Sequence, residues 1–281
     1  MRRLILACLC LALAFPTFAQ GTKRKKQKKQ DKSSLNLIKN GDFEQPGSSK
    51  QPKNWSKLDG LTGKIQKNGG NPGACLLLDT SVLQIDKKLI QQSEEEFKKK
   101  GRGKGGQYDT VGAHEGAWAY AEPIEVLPDD EWFILSADVA STERSSELFY
   151  PMVLIRGFVK ITGDQVGKDT TWFHDYFDEG IGYSEMFGSN DKMRPSKEGD
   201  YLMVYRHTLS CRVVTPNEFR RFQLGFKLPK MKRFRPERLL IKPYAFWPNG
   251  QYWFDNITLK RATKEEADEV NRNRLTIKEV Q

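Results

Sequence analysis

Aromatic or basic residues occupy alternating positions in three segments of the chain, and two of these segments, 152–161 and 238–247, carry the basic residues. Aromatic rings stack on apolar CH faces and charged side chains bind hydroxyl groups, so segments with both predict a saccharide-binding face. The residues that we expect on this face are Trp118, Tyr120, Arg156, Phe158, Lys242, Tyr244 and Phe246. The alternative is that these rings belong to the core, where a single aromatic residue of a strand more often lies.

Acidic residues form a second candidate group in the section 164–200, which is also rich in aromatic residues. His174, Asp175, Asp178 and Glu179 cluster there, and paired carboxylates can act as acid and base at a glycosidic bond. Neighbours in sequence are a poor guide to carboxylates that face each other across a site. A glycan-cleaving enzyme that uses this section is therefore an alternative, and no catalytic residue is assigned.

Apolar runs separated by turn residues predict that β-strands position these side chains. Several strands at this spacing, without alternating helices, favour an antiparallel β-sandwich or barrel. The predicted strands are 74–78, 116–122, 131–140, 152–161, 201–214, 219–228, 238–247 and 252–260. Shorter apolar runs suggest further strands at 37–38 and 81–85.

Two segments have the features of helices. Apolar residues recur at helical spacing among charged ones within 87–100, which predicts one inserted amphipathic helix. Thr263 followed by Glu266 matches a capping box, so we expect a C-terminal helix and tail in residues 263–281.

The N-terminal residues predict export and a charged tail. Residues 1–19 combine arginines, an apolar run and small residues, as a signal peptide does, and the run is too short to cross a membrane. We therefore expect a secreted or periplasmic protein without a transmembrane segment. Residues 20–34 are expected to be disordered, because they contain almost no apolar side chains. Cleavage would leave two cysteines, Cys75 and Cys211, whose pairing the sequence leaves open.

Basic residues are concentrated in this tail, since seven of them and one acid lie between residues 23 and 32. The formal net charge of +10 therefore belongs mainly to the tail, and the rest of the mature chain is nearly neutral. A nucleic-acid-binding domain carries its positive charge on a folded face, so no specific nucleic-acid partner is expected. The tail suits contact with an anionic cell-envelope polymer, which makes a structural or adhesive envelope protein a second hypothesis.

Four motifs occur in a characteristic order along the chain. They are 36–44 (NLIKNGDFE), 113–119 (AHEGAWA), 123–140 and 252–259 (YWFDNITL). In this order the chain resembles secreted carbohydrate-binding modules of the family 4/9 type, which are galactose-binding-like jelly rolls. The resemblance covers about 35–260.

The resemblance implies a mostly β protein with an antiparallel jelly-roll β-sandwich domain over 35–262, interrupted by insertions near 80–110 and 164–200. We expect the first and last motifs to lie close together and to close this domain. The resemblance also implies non-catalytic binding of a poly- or oligosaccharide. It places Tyr244, which precedes the last motif, in contact with the ligand.

A structural Ca²⁺ between the first and last motifs is also implied by the resemblance. It transfers the role of metal ligand to Glu44 and Asp255, with Asp42 and nearby backbone oxygens completing the set. Calcium binds several hard oxygen ligands from carboxylates and carbonyls, which these residues would supply. The alternative is that Asp42 and Glu44 are solvated turn residues and that Asp255 pairs with a lysine.

Overall fold

The computed structural model describes residues 35–47, 51–58, 60–83, 87–100, 116–161, 200–230 and 235–279. These residues belong to one compact unit, Lys32–Gln281. The predicted signal peptide 1–19 and basic tail 20–34 lie outside the described residues. So do residues 164–199 of the acidic section, with His174, Asp175, Asp178 and Glu179.

The described residues form strands and two helices. The strands are β1 Gly63–Gly70, β2 Gly73–Asp79, β3 Ala117–Trp118, β4 Ile124–Glu125, β5 Trp132–Ser141, β6 Met152–Ile161, β7 Asp200–Ser210, β8 Arg220–Lys227, β9 Arg238–Ala245 and β10 Gln251–Ala262. The helices are α1 Lys87–Lys100 and α2 Lys264–Glu279.

The strands pair into two antiparallel sheets. Sheet I has the order β1-β2-β10-β5-β8, and sheet II has the order β3-β9-β6-β7, with β4 also paired to β9. The predicted mostly β, antiparallel sandwich is therefore confirmed.

The main hydrophobic core lies on the inner faces of the two sheets, because alternate residues of a strand point to opposite sides. In β9, Leu239 and Ile241 are buried in this core, and β6 contributes Val153 and Ile155. The alternate residues of the same strands, Leu240 and Lys242 in β9 and Leu154 in β6, therefore point to the opposite face of sheet II. We call that face the outer face of sheet II.

The opening segment 36–44 forms turns, so the strand predicted at Leu37 and Ile38 is wrong. Asn40 and Phe43 have positive φ values of 52° and 56°, which lie outside the extended region that a strand requires. The apolar residues of this segment are consequently held by turns and by contacts to a distant strand.

The opening segment is bonded to β10, as the two terminal motifs led us to expect. Leu37 donates its N–H to the carbonyl of Leu259 at 2.8 Å, and Ile257 donates to the carbonyl of Gly41 at 2.8 Å. The prediction that the first and last motifs lie close together is confirmed by these bonds.

Strand assignments at the β1–β2 end differ from the sequence prediction. Strand β1 was not predicted, because GKIQKNGG contains one strongly apolar residue among glycines and polar residues. Residues 81–83 form a turn in which Leu83 donates its N–H to the carbonyl of Thr80 at 3.1 Å. The strand expected at 81–85 is therefore wrong over its described part.

Both predicted helices are present. Ile90 of α1 is buried against Phe149 and Phe246, which form a second hydrophobic cluster. The capping box of α2 is confirmed: Glu266 accepts the N–H of Thr263 at 2.7 Å and returns its own N–H to the hydroxyl of Thr263 at 3.2 Å. Among the described residues, no helix combines the length and apolar character needed to cross a membrane.

Cys75 and Cys211 are both buried and are not joined by a disulfide bond. Burial, together with the charge of Asp255, raises the pKa of the Cys75 thiol to about 12. Cys75 and Cys211 therefore act as small apolar residues in this structure.

Candidate functional site

Strand β9 presents two of the predicted binding residues, Lys242 and Tyr244, on the outer face of sheet II. Strand β3 lies beside it, with Trp118 directly opposite Tyr244. Directly opposite residues of an antiparallel pair lie on the same face, so the Trp118 ring joins these side chains.

The chain after β3 continues alongside β9. Ala121 donates its N–H to the carbonyl of Ile241 at 3.0 Å. Tyr120 therefore lies next to Lys242 on the outer face.

Three aromatic rings surround the ammonium group of Lys242. Its Nζ lies 5.0 Å from the ring centroid of Trp118, 5.2 Å from that of Tyr120 and 5.9 Å from that of Tyr244. A cation at these distances is attracted to the faces of aromatic rings, most strongly when it is removed from water. Lys242 is 7% exposed, whereas the three rings are half-buried. We call these four residues the aromatic cage.

The cage combines the two kinds of group that a saccharide needs. The rings of Trp118 and Tyr120 are 4.9 Å apart, with planes inclined by 57°, so they present two differently oriented apolar surfaces. Lys242 places a hydrogen-bond donor between them. The sequence prediction named all four residues, and the structure brings them together.

Two further predicted residues lie on the same face in β6. Arg156 is opposite Leu240 of β9, and Phe158 is opposite Arg238. Arg156 is 2% exposed and Phe158 is fully buried. Arg156 is therefore a diagonal neighbour of Lys242, whereas Phe158 lies further along β6 and contributes packing there.

Phe246 differs from the other predicted residues because it belongs to the second hydrophobic cluster. Its ring centroid lies 5.8 Å from that of Phe149, and Ile90 of α1 packs against the same pair. This position favours a packing role for Phe246, which supports α1 beside the cage.

The predicted metal ligands Glu44 and Asp255 meet at the turn between β1 and β2. Glu44 Oε1 accepts the N–H of Ala74 at 2.6 Å, and Asp255 Oδ2 accepts the N–H of Asn71 at 2.6 Å. Both bonds join residues distant in sequence, so this turn positions the two carboxylates.

Glycines make room for the carboxylates at this turn. A Cβ at Gly70 would lie 2.7 Å from Asp255 Oδ2, and one at Gly73 would overlap Glu44 Oε1. Gly73 also has a φ of +90°, which favours glycine. The turn is therefore a cradle for two acidic side chains.

Burial raises the pKa of Asp255 to about 6 in the folded chain. The N–H groups of Asn71 and Asn256 lower this pKa, whereas the charges of Asp138 and Glu44 raise it. Asp255 is fully buried, so its negative charge is poorly solvated and close to other negative charges. A bound cation would relieve both effects.

The other predicted calcium ligands fit less well. The carbonyl of Asn40 accepts the indole N–H of Trp55 at 2.9 Å, and the carbonyl of Gly41 accepts the N–H of Ile257. Asp42 is exposed. Within the described ranges, no three or more His, Cys, Asp or Glu side chains form a group that could hold a metal. Glu44 and Asp255 therefore supply two carboxylates at this turn, and a calcium ion there would need further oxygen ligands.

No family model matches the chain, and no curated protein matches it. Similar solved structures include carbohydrate-binding modules. One is a family 16 carbohydrate-binding module, with 14% identity, coverage of 80% of this chain and 99% of that chain, and a TM-score of 0.42. Another belongs to work on CBM4 structure and function, with 10% identity, coverage of 80% and 99%, and a TM-score of 0.36.

An enzyme is also among the similar structures. A cyclase from Fischerella sp. TAU has 13% identity, coverage of 82% of this chain and 99% of that chain, and a TM-score of 0.41. Sequence identities and TM-scores this low allow no conclusion about the activity of the chain.

Sequence reasoning missed two charged residues near these sites. Asp138 of β5 contributes to the negative surroundings of Asp255 while it accepts a hydrogen bond from Arg221 at 2.9 Å. Arg206 of β7 lies directly opposite Arg156. Only the pairing of distant strands reveals these neighbours, so no local pattern could have identified them.

Proposed function

We propose that the chain is a non-catalytic carbohydrate-binding protein and that the aromatic cage on the outer face of sheet II contacts the saccharide. The observation that carries this proposal is the convergence of Trp118, Tyr120 and Tyr244 around the ammonium group of Lys242. Sugar rings offer apolar CH faces for such rings, and their hydroxyl groups accept hydrogen bonds from an ammonium group.

Titration of the full chain against a panel of soluble glycans tests this proposal. Trp118→Ala removes the largest ring of the cage and should weaken binding about tenfold or more, because buried tryptophan contacts carry much of an interface's affinity. Trp132→Ala is the matched control, because Trp132 on sheet I also lies over a lysine, with Lys227 Nζ 5.1 Å from its ring centroid. Failure of every glycan to bind the wild-type chain would remove the proposal.

We also propose a structural Ca²⁺ ion held by the carboxylates of Glu44 and Asp255. The burial of Asp255, the proximity of two acids and the glycine cradle support this proposal. The ion would neutralise these charges and tie the opening segment to β10.

Thermal unfolding with Ca²⁺ or with a chelator tests the metal proposal. Ca²⁺ at about a hundred times its Kd should stabilise the folded state by about 2.7 kcal/mol. Glu44→Gln and Asp255→Asn should each abolish the stabilisation, and Asp42→Asn shows whether the Asp42 side chain also binds the ion. An unchanged melting temperature in saturating Ca²⁺ would reject the site.

The N-terminal residues support two further parts of the proposal. The apolar N-terminal run supports export, so we propose a secreted or periplasmic location. The basic residues 23–32 support contact with an anionic cell-envelope polymer. Fractionation of cells that express the full chain tests the first part, and loss of envelope association after replacement of the basic residues by glutamine tests the second.

A further inference from the structure

The outer face of sheet I, which points away from the main core, carries a tryptophan on its central strand. Tyr252 and Phe254 of β10 are buried in the core, so Trp253 between them points to this outer face. Sheet I has the order β1-β2-β10-β5-β8, which places β10 in the middle. Trp253 therefore lies on the side of the sandwich opposite to the aromatic cage.

A hydrogen bond fixes the orientation of the Trp253 indole ring. Trp253 Nε1 donates to Gln66 Oε1 at 3.0 Å, and Gln66 belongs to β1, two strands away from β10. Two strand spacings amount to about 9.6 Å, so side chains that stood upright on the sheet could not meet. The two side chains must lean towards each other above β2, and the indole therefore lies across that strand.

The indole covers apolar residues of β2. Cys75 and Leu77 alternate with the core residues Leu76 and Leu78, so they lie on the outer face of sheet I. They are nevertheless 0% and 1% exposed, and Leu77 is directly opposite Trp253. A ring that lies across β2 accounts for this burial. Because Trp253 itself is half-buried, the ring face that does not pack on β2 is the one open to solvent.

Polar side chains border the ring on the same face. Lys64 of β1 is opposite Leu77 and is exposed. Gln251 lies two residues before Trp253 in β10, and its side-chain amide donates a hydrogen bond to Asp79 Oδ2 at 3.1 Å. These groups are one cation, one anion and one amide. The surroundings of the ring are therefore polar and carry no net charge.

We propose that the outer face of sheet I is a second saccharide-binding surface, at which one pyranose ring of a neutral oligosaccharide stacks on the indole of Trp253. The residues of this surface, which we call the sheet I platform, are Lys64, Gln66, Asp79, Gln251 and Trp253. The inference goes beyond the proposed function, which places binding on sheet II, and it does not depend on the cage.

The geometry of the platform suits such a ligand. The apolar CH face of a sugar packs on a flat aromatic ring, and a ring already held by Gln66 loses little conformational entropy on binding. Hydroxyl groups both donate and accept hydrogen bonds, so the lysine, the carboxylate and the amide beside the ring can all serve as partners. The balanced charge favours a neutral sugar over an acidic one.

NMR titration of the full chain reports on this ring directly, because each indole N–H gives its own resonance. The probes are cellohexaose, xylohexaose and mannohexaose, and Trp253→Met assigns the resonance of Trp253. We expect at least one probe to shift this resonance and to leave that of Trp132 unchanged. Trp132 is on the same sheet face but pairs with Ala262 at the far end of β10. A Trp253 resonance that none of the three probes shifts would overturn the inference.

Affinity for the hexasaccharide that shifts the resonance tests the role of the ring. It is measured in the Trp118→Ala background, which removes the largest ring of the cage. Trp253→Met keeps an apolar cover over β2 but removes the flat ring, so it should weaken the remaining binding about tenfold. Trp132→Met is the matched control and should leave the affinity unchanged. Equal affinities of the two variants would contradict stacking on Trp253.

Lys64→Ala in the same background is a second variant, which tests the surface even if Trp253→Met fails to fold. Lys64 is exposed, and loss of one hydrogen bond to a sugar hydroxyl should weaken binding about threefold or more. Lys260→Ala is the control, because Lys260 is an exposed lysine of β10 opposite Ile134, away from the platform. Equal affinities of these two variants would count against the platform.

The outcomes separate the inference from the proposed function. If Trp118→Ala abolishes binding and the Trp253 resonance stays unchanged, the cage stands and the platform falls. If the Trp253 resonance shifts and Trp118→Ala binds as the wild type does, the platform stands and the cage falls. If no hexasaccharide binds, the platform falls, and the wider glycan panel then decides the proposed function.

Discussion

The side-chain amide of Asn271 forms two hydrogen bonds with the backbone of Gly225. Gly225 donates its N–H to Asn271 Oδ1 at 3.0 Å, and Asn271 Nδ2 donates to the Gly225 carbonyl at 2.9 Å. Gly225 lies in β8, the edge strand of sheet I, so α2 satisfies backbone groups that have no neighbouring strand. The helix therefore protects one edge of the sandwich.

Asn271→Ala should destabilise the fold by about 1–2 kcal/mol, because both backbone groups of Gly225 lose their partner. Chemical denaturation monitored by circular dichroism measures the change. Asn273→Ala is a control in the same helix, since Asn273 is exposed. Equal effects of the two substitutions would show that helix propensity, rather than the edge contact, is responsible.

Gly225→Ala should lower the free energy of unfolding by about 1–3 kcal/mol. The new Cβ would overlap the carbonyl oxygen of Ala267 in α2 and so disturb the contact between α2 and β8. A lower melting temperature and faster proteolysis of α2 are expected. Gly63→Ala in edge strand β1 is the matched control, since a Cβ there meets Leu58 at an ordinary 3.5 Å. A neutral Gly225→Ala variant would mean that α2 moves aside without cost.

Asn36→Ala should loosen the opening segment and destabilise the fold by about 1–3 kcal/mol. Asn36 Oδ1 accepts the N–H groups of Ile38 and Leu259, both at 3.0 Å, and thereby joins the segment to β10. Asn36→Asp keeps this acceptor and should be milder. Faster hydrogen exchange of the Leu259 amide in Asn36→Ala alone would support the contact, and equal exchange in both variants would contradict it.

The metal-free protein should lose stability as pH rises from about 4 to about 6. The pKa of Asp255 is raised from its ordinary 3.8 to about 6 in the folded state. Between these pH values the folded state binds more protons than the unfolded state. The stabilisation that protonated Asp255 provides is therefore complete below about pH 4 and is lost above about pH 6. The rise in this pKa from 3.8 to about 6 changes the free energy of unfolding by about 3 kcal/mol at most.

Urea denaturation in the presence of a chelator, at several pH values, measures this dependence. Asp255→Asn should flatten the curve, and Asp129→Asn, which changes an exposed acid, should leave it as in the wild type. Calcium should reverse the trend, because it favours the ionised carboxylate. Identical pH curves for the wild type and Asp255→Asn would contradict the shifted pKa.

The alternation of side chains between the two faces of each strand could be predicted from the sequence. It led to the cage, because Lys242 and Tyr244 are two residues apart in β9, and Trp118 and Tyr120 have the same spacing. Alternation is a local property that the sheet preserves. The strand expected at Leu37 and Ile38 was wrong, because this segment brings its apolar residues into the core through turns, with positive φ values at Asn40 and Phe43.

Apart from the approach of the opening segment to β10, contacts between distant parts of the chain could not be predicted from the sequence. Arg206 and Arg156 become neighbours only through the register of β6 and β7, and Phe246 meets Ile90 only because α1 packs beside β9. Register depends on turns and on the packing of both sheets, and no single segment encodes it. Local patterns therefore named all four residues of the cage and Arg156, but not Arg206, which lies opposite Arg156.

Tyr244 belongs to the aromatic cage and also packs against the cluster that contains Ile90 of α1. One ring is thus shared by the candidate binding surface and by the contact that holds the helix. We expect a ligand that restrains this ring to restrain α1 as well, which would link occupancy of the cage to the order of the helix. Slower amide hydrogen exchange in α1 on addition of ligand would consequently report binding at the aromatic cage, although α1 contributes no residue to the cage.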